Sequence, residues 1–343
     1  MPPIELRSDN AASVTPEILQ AVLTANDGSA LAYGGDEITA RLESLVREVF
    51  EHPGARVFPV TSGTAANALS LSALCPPWGS VLCHQTAHIA NSEGGATSLL
   101  TGGAVMVGLA GDGYRITPRT LQAALDSIRW GDPHHSQPAV LSLTQPTDFG
   151  TLYSVAEIEA LVGIARSRDL RVHVDGARLG NAIAALGCTP AELTWRAGVD
   201  VVSLGATKNG ALSAEAIVVF DDRAADELVY RTKRSGHVTS KMRFQSAQLL
   251  AYLTDRLWLR NAAHANARMA ELGAGLERLG VELVGSPQAN LAFAALPDEV
   301  ADRLAAADVL FHRLDGLARF VTSWETSAEE IAAVVAAVES ALS

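Results

Sequence analysis

Short apolar segments alternate with amphipathic segments between about residue 55 and residue 221. The apolar segments are short and rich in valine, which is typical of buried strands, and the segments between them are long enough to form helices. The predicted strands are RVFPV (56–60), VLCH (81–84), AVMVGL (104–109), AVLSL (139–143), RVHVD (171–175), VDVVSLG (199–205) and AIVVF (216–220). This alternation predicts an α/β domain with a large, mostly parallel sheet that is covered by helices on both faces.

The pattern changes after about residue 240, where long helical segments replace the regular alternation. Two helices are predicted over 241–258 and 261–280, then strands over 281–285, 290–296 and 318–322, and a last helix over 328–343. We therefore predict a large domain over residues 1–240, including the N-terminal segment, and a smaller C-terminal α+β domain over residues 241–343. Helix starts are indicated by Thr-Pro pairs at 117–118 and 189–190, and by capping boxes at 154–157 and 327–330.

Charge and composition narrow the class of partner. The chain of 343 residues has a net charge of −12, so non-specific attraction to nucleic acid or to an anionic membrane is not expected. Neither a basic, apolar leader nor an apolar run of the roughly 18 residues that a spanning helix needs is present. The three cysteines show no metal-binding or disulfide spacing. We expect a cytoplasmic protein with reduced thiols, and we identify no metal-ligating residues, while a structural monovalent ion stays open.

Three polar sites follow predicted strands. Ser62, Gly63 and Thr64 stand at the start of an alanine-rich helix, where free N–H groups and the helix dipole favour a phosphate. The segment lacks the lysine and the spacing of a nucleotide-binding loop, and an ordinary capped turn is the alternative. Asp175 ends a buried strand, a costly position for a carboxylate without a cation. Arg178 is one candidate partner, and a cation that arrives with a ligand is the other.

The third site is Lys208, in a polar loop between two apolar strands. A solvated surface lysine is the ordinary alternative, but hydroxyl, amide and glycine residues crowd the same loop. An amine held near positive charge becomes a usable nucleophile. The three sites suit one ligand, pyridoxal 5′-phosphate (PLP), with its phosphate on residues 62–64, its aldehyde on Lys208 and its pyridine nitrogen on Asp175. His88, after the strand VLCH, is a candidate to stack on the ring, with a surface histidine as the alternative.

A set of motifs extends this interpretation over nearly the whole chain. The motifs are LRSDNAA, YGGDE, SGTAANAL, AHIANSEGGA, SLTQPTDFGTLYS, VHVDGARL, GATKNGALSAEA, KMRF and ARFVTSWE. As a group they resemble the low-specificity L-threonine aldolases of the β-eliminating lyase family, which are fold type I PLP-dependent enzymes. The resemblance implies cleavage of L-threonine, L-allo-threonine and related β-hydroxy-α-amino acids to glycine and an aldehyde.

The resemblance also implies roles for particular residues. Lys208 resembles the Schiff-base lysine, Asp175 the partner of the pyridine nitrogen, and His88 the ring-stacking histidine. Further residues are implied as phosphate ligands (Ser62, Gly63, Thr64), as a neighbour of the cofactor (Thr207), and as holders of the substrate carboxylate (Ser8, Arg178, Arg319). Arg178 is also counted among the cofactor contacts. Such enzymes are usually homotetramers with sites near subunit interfaces, so Tyr33, Arg234 and Arg243 are candidates to reach a neighbouring site.

The chain departs from the family where many members have an ENTHN-like segment with a histidine near the substrate hydroxyl. Here the segment reads TQPTDFG, with Thr147 or Asp148 at about that place. A group near His88, with Glu93 or an ordered water as candidates, is expected to accept the hydroxyl proton. A β-eliminating lyase, an aldolase that prefers aryl substrates, and a non-catalytic phosphate-binding α/β protein are the alternative functions.

Overall fold

The computed structural model describes residues 3–343. The helices are α1 (Pro16–Ala25), α2 (Glu37–Val49), α3 (Gly63–Leu74), α4 (His88–Asn91), α5 (Ala96–Thr101), α6 (Pro118–Asp126), α7 (Val155–Arg166), α8 (Leu179–Leu186), α9 (Pro190–Leu193), α10 (Asp222–Arg234), α11 (Arg243–Leu253), α12 (Leu257–Arg278), α13 (Asp298–Ala306) and α14 (Ala328–Leu342). The strands are β1 (Ile4–Glu5), β2 (Arg56–Val60), β3 (Gly79–His84), β4 (Val105–Leu109), β5 (Gln137–Thr144), β6 (Arg171–Gly176), β7 (Val201–Leu204), β8 (Glu215–Val219), β9 (Glu282–Leu283), β10 (Leu291–Ala295), β11 (Val309–Leu310), β12 (His312–Leu314) and β13 (Leu317–Val321). Short 3-10 helices occur at Asp9–Ala11, Trp195–Ala197, Thr207–Asn209 and Thr254–Arg256.

Seven strands form the large sheet, in the order β2-β8-β7-β6-β5-β3-β4. Strand β8 is antiparallel to both of its neighbours, and the pairs from β7 to β4 are parallel. All seven strands predicted between residues 55 and 221 are present. The predicted fold class, a fold type I architecture with a large and mostly parallel sheet, is confirmed.

Apolar side chains of the central strands alternate between two cores, one on each face of the sheet. Val202 and Val218 belong to one core, while Val201 and Ile217 belong to the other. Burial on both faces explains why these strands are continuous apolar runs rather than alternating ones. The edge strand β4 differs, since Val105 and Val107 are exposed.

A third core lies around the small antiparallel sheet β12-β13-β10-β9. Its buried residues include Leu272, Phe320 and Val334, and also Ile4 and Leu6 from the N-terminal segment. Strand β1 joins this region by pairing in parallel with β11. The N-terminal segment therefore packs with the C-terminal residues, and the proposed boundary at residue 240 stays a prediction.

The long C-terminal helices are divided at a different point from the one predicted. The sequence predicts one helix through residue 258, but α11 ends at Leu253, and Asp255 and Arg256 have left-handed backbone angles, φ 49° and 57°. Helix α12 then begins at Leu257 and supplies side chains to two cores. Trp258 belongs to the core of the large sheet that contains Val202, and Met269 belongs to the core around the small sheet. Within residues 3–343, none of the helices has the length and apolar character that spanning a membrane requires.

An aromatic stack joins the loop after β5 to the small sheet. The rings of Tyr114 and Phe149 are stacked with centroids 3.6 Å apart, and Phe149 is 4.7 Å from Phe293 on β10. The backbone approaches closely at Gly150, φ 80°, where an added Cβ would lie 3.0 Å from the carbonyl oxygen of Leu291. The loop therefore rests on the small sheet as well as on β5.

Candidate active site

Asp175 and Lys208 are both located at the carboxyl edge of the large sheet. Asp175 is paired in register with Thr144 of β5 and with Ser203 of β7. Lys208 follows β7 in the 3-10 turn Thr207–Asn209. Because ligands of open α/β sheets bind at this edge, the two sequence-predicted residues occupy the expected part of the fold.

The Asp175 carboxylate is buried, with 2% of the residue exposed. Its Oδ1 accepts a hydrogen bond from the Ala177 backbone N–H, 3.0 Å, and its Oδ2 accepts one from Asn67 Nδ2, 3.0 Å. Arg178, the candidate internal partner, instead forms a bidentate pair with Asp9. Within residues 3–343 the donors on Asp175 are therefore neutral, and a ligand with a protonated nitrogen fits this carboxylate.

Asn67 connects Asp175 to a second buried carboxylate. Its Nδ2 donates to Asp175 Oδ2 and also to Glu93 Oε1, 2.8 Å away. Glu93 Oε1 lies 3.2 Å from His88 Nδ1, and this hydrogen bond raises the pKa of the imidazole above its usual value. Asn67 was not among the residues predicted from the sequence, although its place one turn into the helix after Ser62 was a usable signal.

The start of helix α3 offers a site for an anion. Ser62 caps the helix, with its side chain accepting from Ala65 N–H at 3.2 Å, and the first turn contains no acidic residue. Ser62 is exposed, Gly63 and Thr64 are half-buried, and a Cβ added to Gly63 would have no neighbour within 4 Å. Free N–H groups, the helix dipole and open space suit a phosphate.

Lys208 is half-buried, and the backbone of its loop is hydrogen-bonded to a buried carboxylate. Glu215 of β8 accepts hydrogen bonds from the backbone N–H of Ala206 at 2.7 Å and of Thr207 at 3.4 Å. Burial opposes the lowered pKa of Asp9, which comes from the charge and hydrogen bonds of Arg178 and, to a smaller extent, from the charge of Lys208. Burial raises the pKa of Glu215, and the charge of Lys208 acts in the opposite direction. Asp9 forms its salt bridge with Arg178 rather than with Lys208, so the Lys208 amine stays available to a ligand. Neither Asp9 nor Glu215 was among the residues predicted from the sequence.

The predicted substrate-carboxylate residues surround Asp9. Arg178 donates from Nε to Asp9 Oδ2 at 2.6 Å and from Nη2 to Asp9 Oδ1 at 2.8 Å. Burial and the nearby Arg178 charge both lower the pKa of Arg319, which donates to the Arg7 carbonyl oxygen at 3.2 Å. Ser8 caps the neighbouring 3-10 helix by accepting from Asn10 N–H. Two guanidinium groups close enough to repel each other form a site that favours an anion.

Asp148, in the loop after β5, also lies at this site. Its Oδ2 accepts a hydrogen bond from the His88 backbone N–H, 3.1 Å. Burial and the Asp175 charge raise the pKa of Asp148, while the charges of His88 and Arg178 act in the opposite direction. Of the two residues considered at this place, Thr147 is instead buried and its hydroxyl lies 2.7 Å from that of Thr151.

The three residues considered for a neighbouring subunit's site are at the surface. Tyr33 is 57% exposed, with Lys233 Nζ 4.5 Å from its ring centroid. Arg243 donates to the Gly28 carbonyl oxygen at 3.1 Å, and Arg234 ends helix α10. Their role between subunits stays a prediction.

Comparisons with known proteins agree with this arrangement. The family model described as beta-eliminating lyase matches residues 5–299. A low specificity L-threonine aldolase of Pseudomonas sp. (strain NCIMB 10558) is 39% identical to the chain and covers 98% of both sequences. A solved threonine aldolase of Leishmania major superposes with a TM-score of 0.93 at 27% identity, covering 99% of this chain and 100% of that one.

A more distant structure shares the fold alone. Serine palmitoyltransferase from S. paucimobilis, solved with bound PLP and myriocin, superposes with a TM-score of 0.73 at 16% identity, covering 99% of this chain and 87% of that one. The resemblance to the threonine aldolases that the motifs indicated is confirmed. The chain belongs to the beta-eliminating lyase family, as do the low-specificity L-threonine aldolases it resembles.

Proposed function

We propose that this protein is a PLP-dependent aldolase that cleaves L-threonine, L-allo-threonine and related β-hydroxy-α-amino acids to glycine and an aldehyde. The observation that carries the proposal is the placement of Asp175, a buried carboxylate whose hydrogen-bond donors are neutral, beside the strand that leads to Lys208. The near full-length similarity to a low specificity L-threonine aldolase supports the same reaction.

The residues of the site have the chemistry that PLP requires. Ser62, Gly63, Thr64 and the start of α3 would hold the phosphate, Lys208 would bond to the aldehyde carbon, and Asp175 would accept the proton of the pyridine nitrogen. His88 and Thr207 would contact the ring and its surroundings. When bound, PLP supplies an electron sink for the electron pair that the breaking Cα–Cβ bond leaves behind.

The arginines would hold the amino acid. Arg178 is fixed by its two hydrogen bonds to Asp9, which leaves its third nitrogen free for a carboxylate, and Arg319 lies close enough for its pKa to respond to Arg178. A planar guanidinium binds a carboxylate in two places and fixes its direction. With Ser8 beside them, these residues would set which bond of Cα the site exposes to cleavage.

The proposal extends to a cytoplasmic homotetramer. Large apolar side chains are exposed at Leu31, Leu212 and Tyr230, and such positions support contacts between subunits. Two of the three cysteines, Cys75 and Cys83, are buried free thiols, which is compatible with a reducing compartment. Sedimentation of the purified protein would test the assembly.

The chain has three lysines, Lys208, Lys233 and Lys241, so the attachment of PLP can be tested cleanly. Borohydride reduction of the protein with PLP should label Lys208, and Lys208→Ala should lose both the visible absorbance and glycine formation from threonine. Lys241→Ala is the matched control, because this lysine is exposed. Labelling elsewhere, or a colourless protein, would refute PLP attachment and favour a non-catalytic phosphate-binding protein.

A substrate panel tests the reaction itself. L-threonine, L-allo-threonine and β-phenylserine should each yield glycine and an aldehyde in equal amounts. Release of ammonia in place of glycine would make the protein a β-eliminating lyase, and turnover restricted to β-phenylserine would make it an aryl-preferring aldolase.

A further inference from the structure

The proposed reaction needs a group that accepts the proton of the β-hydroxyl. Glu93, one of the candidates from the sequence, is poorly placed for this task. Its side chain is 1% exposed, and its Oε1 is engaged by both His88 Nδ1 and Asn67 Nδ2. A carboxylate this deeply buried and engaged at Oε1 can influence His88, but its side chain presents almost no surface to a substrate.

His88 is also a weak candidate for the base. Its Nδ1 lies 3.2 Å from Glu93 Oε1, which leaves Nε2 as the nitrogen that could take a proton. The hydrogen bond to Glu93 raises the pKa of the ring against the effect of burial, with further contributions from the charges of Asp148 and Asp175. A ring that keeps its proton over more of the neutral range accepts another group's proton less often. The arrangement suits His88 for contact with the cofactor.

Asp148 differs from both candidates. The residue is half-buried, its Oδ2 is fixed by the His88 backbone N–H, and within residues 3–343 its Oδ1 makes no hydrogen bond. The charged groups that act on it come from four parts of the fold: His88 on α4, Asp175 on β6, Arg178 before α8, and Arg319 on β13. Asp148 is therefore close both to the arginines proposed for the carboxylate and to the histidine proposed for the cofactor.

We propose that Asp148 is the catalytic base that accepts the proton of the substrate's β-hydroxyl, an assignment that rests on the proposed aldolase function. As the O–H bond breaks, its proton goes to Asp148 Oδ1. The electrons of that bond form the aldehyde C=O while the Cα–Cβ bond breaks. Bound PLP would supply the electron sink for the pair left on Cα. Cα would then take a proton from solvent, and Asp148 would release its own proton to solvent.

The local electrostatics suit this role. Burial and the charge of Asp175 raise the pKa of Asp148 above that of an ordinary aspartate, so the carboxylate is more basic than usual. The direct hydrogen bond to the His88 backbone fixes the side chain, which is what positioning a proton acceptor requires.

Asp148→Asn tests the assignment, because an amide oxygen can still accept from the His88 N–H but cannot act as the base. Two reactions of the PLP-loaded enzyme should be compared: threonine cleavage, and exchange of the glycine Cα hydrogen in heavy water, which involves no hydroxyl. We expect kcat for threonine to fall about a hundredfold or more. Glycine exchange should stay within roughly threefold, and Asp148→Glu should recover part of the lost rate.

The comparison variant is Glu93→Gln, which acts on His88 and should alter both reactions together. The assignment would be overturned if Asp148→Asn cleaved threonine at the wild-type rate, or if it lost threonine cleavage and glycine exchange to the same extent. If the wild-type protein catalyses neither reaction, the proposed function fails and the assignment fails with it.

A second readout needs no cofactor. A carboxyl whose pKa is raised in the folded state binds its proton more tightly than in the unfolded chain, so folded-state stability is lost as pH rises through this range. As pH rises from 4 to 8, the thermal midpoint of cofactor-free Asp148→Asn should therefore increase relative to that of the wild type. A constant difference over this range would contradict the environment described for Asp148.

Discussion

Breaking the Asp9–Arg178 pair should cost the protein a large part of its stability. Asp9 is buried, and its carboxylate accepts three hydrogen bonds, two from Arg178 and one from Asn290 Nδ2 at 3.0 Å. Asp9→Asn keeps the shape but removes the charge and turns an N–H group toward the guanidinium. Removing one partner of a buried pair leaves an uncompensated charge, so we expect a loss of about 3 kcal/mol in the free energy of unfolding.

The assay is urea unfolding of the cofactor-free protein, followed by circular dichroism at one fixed protein concentration. Asp27→Asn is the control, since Asp27 is exposed, and it should change the free energy of unfolding by less than about 0.5 kcal/mol. A double-mutant cycle with Arg178→Met should show that the second substitution costs little once Asp9 is neutral. A loss below about 1 kcal/mol for Asp9→Asn would refute the reasoning.

The stability cost of Asp9→Asn should depend on pH in a defined direction. The Arg178 charge and hydrogen bonds hold the pKa of Asp9 below its usual value, despite the opposing effect of burial. A lowered folded-state pKa contributes stability that is present above the unfolded value, about 3.9, and is lost as pH falls through the folded one. The cost of Asp9→Asn should therefore be constant between pH 8 and pH 5 and shrink only below about pH 4.

Two further predictions concern His88 and the thiols. Glu93→Gln removes the charge of the carboxylate whose hydrogen bond raises the pKa of His88, so the imidazole should titrate at lower pH in an NMR experiment, whereas Glu329→Gln, at an exposed position on α14, should leave it unchanged. Burial raises the pKa of Cys75 to about 11 and that of Cys83 to about 12, whereas Cys188 is half-buried. A thiol reagent at pH 8 should modify Cys188 first in the native protein and all three cysteines in urea, and early labelling of Cys83 would contradict this packing.

The strands and the residues at their ends were predictable because their signals are local. Apolar runs marked all seven strands of the large sheet, and the polar residues that follow them, Asp175 and Lys208, pointed to its carboxyl edge. The capping boxes at Ser154 and Ser327 were also predictable, since the residues that form each box are three positions apart. The periodicity of apolar residues and the spacing of polar ones were enough to predict structure wherever the interacting groups are near one another in sequence.

Long-range partners were not predictable in the same way. Asp9 and Arg178 are separated by 169 positions, and from the sequence Arg178 was a candidate partner of Asp175 instead. Asn67 could be recognised as a bridge only once α3 and β6 were packed together. The exposed edge strand β4 has the same apolar pattern as the buried strands, so its position at the edge depended on the topology.

The stack of Tyr114, Phe149 and Phe293 links the two ends of the candidate site mechanically. Phe149 follows Asp148 directly, and Phe293 is paired in register with Arg319 across the small sheet. A rotation of the small sheet would therefore carry the proposed proton acceptor and one of the proposed carboxylate-binding arginines along together. If the site closed around an amino acid, Asp148 near the β-carbon and Arg319 near the carboxylate would then move together.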